Sequence, residues 1–319
     1  MGRTETRVVV EGRELVLSNL DKVMYPRTGF TKGDVIAYYR AISPWLLPHL
    51  AARPVTLKRY PDGVEGEFFY EKTCPPHRPE WVRIAPIWSE GRGEDIPFCV
   101  FDDLPTLVWA ANLADLELHT YLHSMEDDER PHFLAFDLDP GPPANVLDAA
   151  RVALALRALL AHLNLEAYPK TSGGKGMQVY VPLNAPDVTY EHAKPFARAV
   201  AEILAKERPR EIVSNMRKDL RKGKVLVDWS QNDDHKTTVC VYSLRARERP
   251  TVSTPLFWDE VEDAVRAERA DRLVFLSDDA LSRCREHGDL FAPVLSKRQA
   301  LPPFVRQSSS RGRQEPSAA

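Results

Sequence analysis

Cysteine is scarce. The 319 residues hold four, Cys74, Cys99, Cys240 and Cys284, far apart and with no C-x-x-C pair. That spacing argues against a disulfide framework and a cysteine-rich zinc site, and makes a reducing cytosol the expected compartment. Long apolar runs are missing too, so no stretch is fit to span a membrane. The opening "MGRTETRVVVEGRELVL" is charged and shows no signal-peptide pattern, and Met-Gly before charged residues is weak ground for acylation. There is no internal repeat and no clear linker. At this length the chain makes one large domain or two closely packed ones.

Strong net charge is also absent. The formal balance is −3, which does not by itself announce nucleic acid. The distribution is uneven, however. Residues 1–60 hold ten Lys/Arg against five Asp/Glu, and residues 206–224 hold eight against three, while acidic residues gather in "MEDDER" and "WDEVEDAVRAERADR". Local basic patches on an acidic body suit a protein that touches phosphates at defined places; two solvated faces give the same pattern.

The patterning predicts an α/β body with a mixed sheet. "RVVVEGRELVLS" reads as a hairpin, and Thr31 is a good N-cap for a helix through "KGDVIAYYRAISPWLLPHL". "RPVTLKRYP" and "GEFFYEK" read as short strands, "LPTLVWAANLADLELH" as a helix leading to His119, and "HFLAFDLD" as a strand. "NVLDAARVALALRALLAHLN" is a long apolar helix suited to packing on a sheet. "EAYPKTSGGKGMQVYVPL" reads as strand, turn, strand. A helix in "TYEHAKPFARAVAEILAKERP", strands in "GKVLVDWSQN" and "TTVCVYSLR", and short helices near 258–268 and 278–287 follow. One domain is expected over 1–306, with a disordered tail over 307–319.

The strand "FLAFDLDPGPP" ends in two carboxylates. Side chains alternate along a strand, so Asp137 and Asp139 share a face, roughly 7 Å apart. Carboxylates that close repel unless a cation lies between them or one is protonated. Hard divalent cations prefer such oxygen ligands. Asp228 ends a second apolar run, "KVLVD". Three aspartates at strand ends suit two metal ions in phosphoryl displacement; a strand end capped by Asx-turns is the plainer alternative.

In "KTSGGKGMQVYVPL" the glycines let backbone amides approach a phosphate, while Ser172 and Lys175 add a hydroxyl and a charge. It is not a Walker loop, because Lys175 is followed by Gly176. A glycine hairpin with a solvated lysine remains the alternative.

With "FDLDPGPP", "TSGGKGMQVYVPL", "VLVDWSQN" and "TPLFWDEV" in that order, and the opening "LSNLDKVMYPRTGFTKGDVIAYY", the chain resembles the polymerase domain of bacterial ATP-dependent DNA ligase D, in the archaeo-eukaryotic primase superfamily. The resemblance covers roughly residues 5–300. No room is left for ligase or nuclease domains, so a stand-alone member is expected. It implies a primase-like core of mixed β-sheets flanked by helices, and divalent metal, Mn²⁺ or Mg²⁺. It also implies template-directed addition of ribo- or deoxyribonucleotides at DNA breaks or gaps. Partners would be nucleoside triphosphates, DNA bearing a 5′-phosphate, a separate ligase and a Ku-type end-binding protein, in the cytoplasm at the nucleoid.

By motif, Asp137, Asp139 and Asp228 are then the metal-binding catalytic carboxylates. Ser172, Lys175 and Arg245 hold the triphosphate, with His119 near the sugar and phosphates. Phe69 and Tyr70 match a pair that stacks on the template or incoming base, a platform indifferent to base identity. Asn19, Lys22 and Lys32 match a 5′-phosphate pocket. Lys58, Arg59, Arg221 and Gln231 line the cleft. One position departs: the family commonly has histidine where this chain has Gln178, whose amide donates a hydrogen bond but carries no charge.

Several residues read more plainly. His77 beside Cys74 is two ligands short of a zinc site. His123, His132, His162, His192 and His287 read as surface or partly buried, and Trp81, Trp88, Trp109 and Trp258 as core. Two rival functions remain. One is a phosphatase of the haloacid-dehalogenase type, whose D-x-D usually continues Gly-Thr. The other is a non-catalytic DNA-end-binding module.

Overall fold

The computed structural model describes residues 4–89 and 91–302; the expected tail lies outside them. The chain opens with the hairpin β1 (Glu5–Val10) and β2 (Arg13–Ser18), then the ribbon β3 (Val23–Tyr25) and β4 (Phe30–Thr31), which feeds α1 (Lys32–Leu50). Thr31 caps α1: its side chain accepts from the Asp34 amide, and the Asp34 carboxylate accepts from the Thr31 amide. This reciprocal pair fixes where the helix starts.

A six-stranded sheet comes next. It contains β5 (Pro54–Arg59), β6 (Phe69–Glu71), β7 (Ile84–Ser89), β8 (Glu94–Val100) and, after α2 (Leu104–Asn112), β9 (Asp115–Thr120). Its order is β15-β9-β5-β8-β7, with β6 paired to β5 and β15 (Thr238–Val239) added from far along the chain. α1 packs here: Tyr39, Ile42 and Leu46 are buried with Val55, Leu57, Leu116 and Leu118. The Tyr39 hydroxyl donates to Leu116 O at 2.8 Å.

The second sheet is built from β10 (Phe133–Pro140), β11 (Tyr168–Thr171), β12 (Met177–Pro182), β13 (Ile212–Val213) and β14 (Val225–Asp228), in the order β11-β12-β10-β14-β13. Only β13 and β14 pair in parallel among its described pairings. Between these strands run α3 (Val146–His162) and α4 (Tyr190–Glu207). α3 buries Leu147, Val152, Leu156 and Leu160 on the sheet, as its apolar face requires. Each such side chain contributes about 1.5–3 kcal/mol by leaving water. The chain finishes with the ribbon β16 (Leu244–Ala246) and β17 (Pro250–Val252), α5 (Trp258–Arg266), α6 (Ser277–His287) and α7 (Ala292–Ser296).

β10 is the hinge of the design. Leu134, Phe136 and Leu138 enter the core under α3 and α4, while Phe133 and Ala135 enter the core shared with the six-stranded sheet. A strand with both faces covered reads as a continuous apolar run. By the same alternation Asp137 and Asp139 follow Phe133 and Ala135, on the face that looks toward the other sheet.

Four expectations are corrected. Cys74 and Cys99 form a disulfide, with Cα atoms 4.9 Å apart. The Cys74 amide donates to Pro97 O at 2.6 Å and draws the loop after β6 alongside β8, a proximity that cysteine spacing does not reveal. "TTVCVYSLR" is not one strand: β15 stops at Val239, Tyr242 turns at φ 63°, and β16 begins at Leu244. Trp88 is exposed on β7 rather than core. His123 is fully buried, its Nδ1 2.8 Å from the Tyr190 hydroxyl. No helix of the described residues is long and apolar enough to cross a membrane.

Candidate active site

A cavity of about 400 Å³ opens between the two sheets. Asp137, Asp139, Ser172, Lys175, Gly176 and Gln178 line it from one side, Thr56, Tyr70, Lys72 and His119 from the other, and Gln231, Thr238, Arg245 and Arg247 complete it. The cleft thus gathers residues that are far apart in sequence.

β10 and β14 pair antiparallel with Asp137 directly opposite Asp228. Cross-strand partners on one face approach within contact distance, so sheet pairing, not sequence spacing, brings the third carboxylate in. Among the described residues Asp137 has no ion-pair partner; its Oδ1 accepts from Gln178 Nε2 at 3.2 Å. Burial, and then the Asp228 charge, push its pKa up to about 6. Asp139 pairs with Lys175 Nζ at 2.9 Å and Arg221 Nη1 at 3.7 Å. Asp228 Oδ1 accepts from the Ser230 amide and hydroxyl at 2.8 and 2.6 Å, and its Oδ2 from Gln231 Nε2 at 3.1 Å. The oxygen-only donor set suits a hard divalent cation, and a cation would relieve the strain on Asp137. Among the described residues, a tighter acidic group is Asp233, Asp234 and His235, whose ligand atoms lie within 4.8 Å of one another. Asp234 and His235 are exposed, and Asp233 is already held by Lys194.

The glycine turn is built to hold its shape. Ser172 Oγ accepts from the amides of Gly174 and Gly176 at 3.2 and 3.3 Å. A Cβ at Gly176 would lie 2.1 Å from Leu138 O, so only glycine lets the turn lie against β10. Gly173 sits at φ 66°, and a Cβ there would meet Arg245 and Val252 at 2.7 Å. Arg245 donates to Ser172 O and joins the turn to β16.

Glu117, which sequence reasoning passed over, organises the other wall. Its carboxylate is almost wholly buried on β9. Oε2 lies 3.3 Å from Lys58 Nζ, 3.1 Å from His119 Nε2 and 3.3 Å from Arg245 Nε; Oε1 accepts from the Ala246 amide at 3.0 Å and the Tyr60 hydroxyl at 3.3 Å. Burial works against the charge on Glu117. The hydrogen bond from His119 and the positive charges of Arg245 and Lys58 outweigh it and hold the carboxyl well below its usual range. Burial lowers the pKa of His119 and that of Lys58. The only signal in the sequence was a lone glutamate in "LELH".

Alternation on β6 divides the expected aromatic pair. Tyr70 lies opposite Lys58 and makes an edge contact with His119, centroids 6.0 Å apart, on the cleft side. Phe69 lies opposite Arg59, whose guanidinium sits 5.2 Å from its ring; Arg59 also bonds Glu71 at 2.8 Å. Phe68 shares the Tyr70 face, with Lys58 Nζ 4.5 Å from its ring. All three aromatics are exposed.

Asn19, Lys22 and Lys32 form a separate cluster that does not line the cavity. Asn19 turns at φ 52°; the Lys22 amide donates to Asn19 O, and the Lys32 amide to Lys22 O at 2.8 Å. Lys22 Nζ bonds Asp62 at 2.8 Å, and Lys32 is buried at the start of α1 with Nζ 3.3 Å from Ser18 Oγ.

The family model for the LigD primase-polymerase domain matches residues 31–291. The chain is 42% identical over 280 residues to the multifunctional non-homologous end joining protein LigD of Mycolicibacterium smegmatis, covering 87% of this chain and 36% of that protein. It is 33% identical over 275 residues to the bifunctional non-homologous end joining protein LigD of Bacillus subtilis, covering 86% and 43%. The chain therefore spans less than half the length of these curated relatives. The solved polymerase domain of Mycobacterium tuberculosis ligase D in complex with DNA superposes with a TM-score of 0.81 at 37% identity, covering 89% of this chain and 99% of that one. The aspartates of β10 and β14, the glycine turn and the β6 aromatics all fall inside the matched span, and the chain belongs to the LigD primase-polymerase domain family.

Proposed function

We propose that this chain extends DNA ends, adding ribo- or deoxyribonucleotides opposite a template at breaks or short gaps during end joining. Family membership makes it a DNA-directed nucleotidyltransferase of repair. The observation that carries the finer reading is that Asp137 and Asp139 line one cavity together with the Ser172–Gly176 turn, while Asp228 stands opposite Asp137 in the β10–β14 pairing.

Asp137, Asp139 and Asp228 would hold divalent metal, Mn²⁺ or Mg²⁺. Bound there, it supplies charge neutralisation for the attacking and leaving oxygens of an in-line displacement. The chain's own residues do the rest. Lys175 and Arg221 lie on Asp139 and are placed to turn toward a triphosphate. Ser172 and the turn amides set its position, and His119 and Arg245 face it from the β9 side. Tyr70 and Phe68 offer ring faces for a base. Basic residues around the cleft favour the polyanion. A phosphatase reading leaves Asp228 and the turn without a task, and an end-binding module leaves three buried-edge carboxylates without one.

The Asn19–Lys22–Lys32 cluster at the N-terminus of the 19-residue α1 suits a 5′-phosphate. A phosphate monoester carries about −1.5 to −2 charge, more than a diester. The expected partners are gapped or broken DNA with a 5′-phosphate, nucleoside triphosphates, a ligase activity and a Ku-type end-binding protein, in the cytoplasm. Primer extension on a gapped duplex with a 5′-phosphate or a 5′-hydroxyl tests this. Wild type should prefer the phosphate, and Lys22→Ala/Lys32→Ala should lose that preference while still binding free nucleotide. Equal affinity of wild type for both duplexes removes the end-recognition role.

A further inference from the structure

Lys170 on β11 has no exposed surface and is not part of the cavity wall. Its Nζ lies 2.5 Å from Gln178 Oε1, 2.6 Å from Ser253 Oγ and 3.2 Å from Val239 O. No carboxylate touches it among these contacts. Burial lowers its pKa to about 7, and a buried amine bonded only to neutral groups is a costly way to fill a core that an apolar side chain would fill without that desolvation. Stability alone gives no reason for it.

The hydrogen-bond inventory shows what the cation sets. Ser253 Oγ donates its own hydrogen to Thr171 O at 3.0 Å, so toward Lys170 it accepts. Val239 O accepts as any carbonyl does. At its far end Gln178 meets Asp137 Oδ1 at 3.2 Å and Thr238 Oγ1 at 3.0 Å. An ionised carboxylate only accepts, so the amide nitrogen belongs on that side and its oxygen faces Lys170. Three acceptors then surround the three N–H groups of one ammonium, and both amide hydrogens of Gln178 are used. The flipped amide would set donor against donor at Lys170 and oxygen against oxygen at Asp137.

We propose that Lys170 is a positioning residue for the metal site: it locks the Gln178 amide so that its N–H holds the Asp137 carboxylate in one orientation toward the cleft. This rests on reading Asp137 as a metal ligand. The position between Lys170 and Asp137 needs a neutral group that accepts on one side and donates on the other; the primary amide of Gln178 does both, as a neutral imidazole would. Partners that orient a metal ligand from behind typically matter about 10–100-fold in metal affinity.

The test measures Mn²⁺ binding to the full chain, without nucleotide or DNA, from the electron paramagnetic resonance signal of free Mn²⁺, beside kcat, nucleotide KM and Tm. Lys170→Met and Gln178→Met should each weaken Mn²⁺ by about 10–100-fold. The double variant should be no weaker than the worse single, because the two act as one unit. kcat should fall while nucleotide KM moves little. A Lys170→Met protein with lowered Tm but unchanged Mn²⁺ affinity and kcat overturns the proposal, as do additive losses in the double variant. If Lys170→Met does not fold, Ser253→Ala removes one acceptor and leaves the lysine in place. Mn²⁺ affinity should then fall about 2–10-fold, the worth of one hydrogen bond, and no change overturns the proposal. Unchanged Mn²⁺ binding in Asp137→Ala is a separate result, which removes the metal reading beneath it.

Discussion

Replacing Glu117 by glutamine removes one charge and almost no volume. Oε2 now accepts from Lys58 and His119 and lies 3.3 Å from Arg245 Nε, while Oε1 accepts from the Ala246 amide and the Tyr60 hydroxyl. A glutamine has one oxygen and one NH₂ group, so whichever way it turns, an amide nitrogen faces donors. Two basic side chains, each little exposed, also lose their counter-charge. Breaking a buried pair by removing one partner costs about 3–5 kcal/mol. Glu117→Gln should therefore lose about that much in urea-induced unfolding, and Glu117→Ala no less. Nucleotide addition should fall as well, because Lys58, His119 and Arg245 lose the anchor that aims them at the cleft. A stability loss below about 1 kcal/mol, the range of an exposed ion pair, would refute the reasoning and reduce Glu117 to a bystander.

Acid should loosen the fold through two histidines held below their usual range. Burial first, and then the Arg53 charge, lower the pKa of His123 to about 3 and of His132 to about 4. Both groups bind protons more readily unfolded, so their stability is present above about pH 6.5 and is lost as pH falls toward 4, by about 1.4 kcal/mol per unit for each group; a urea midpoint constant from pH 7 to 5 contradicts this. Lys175→Ala should weaken nucleotide binding more than DNA binding, and equal losses in titrations of each would move Lys175 to the DNA surface. Cys74→Ser/Cys99→Ser opens a loop of 25 residues and should cost about 3 kcal/mol; thiol counting on the unfolded wild type should find two free cysteines, and four would rule out the bridge.

Legibility in the sequence followed the range of the interaction. Thr31 and the apolar face of α3 were readable because a cap and a helix stripe are decided within a few residues. The shared face of Asp137 and Asp139 was readable from strand period, but the pairing of Asp137 with Asp228 was not, since nothing in "KVLVD" says which strand it joins. Glu117 and Lys170 were invisible for the same reason: beyond His119 and Gln178 nearby, their partners Lys58, Arg245, Val239 and Ser253 lie more than fifty residues away. The Cys74–Cys99 bridge failed on spacing, because loop and strand meet only once β8 is in place. The aromatic motif was read as Phe69–Tyr70, but neighbours on a strand point apart, and Tyr70 shares its face with Phe68 instead.

The central claim is that Asp137, Asp139 and Asp228 form the centre at which nucleotides are transferred. Single-nucleotide extension of a gapped duplex with Mn²⁺, in wild type and in Asp139→Ala, tests it most directly, with Tm measured on both. Wild type should extend the primer. The variant should keep its Tm within a few degrees and lose at least about 10²–10⁴-fold in rate, the scale on which a missing catalytic group is felt. Near-normal extension by a folded Asp139→Ala protein would contradict the account.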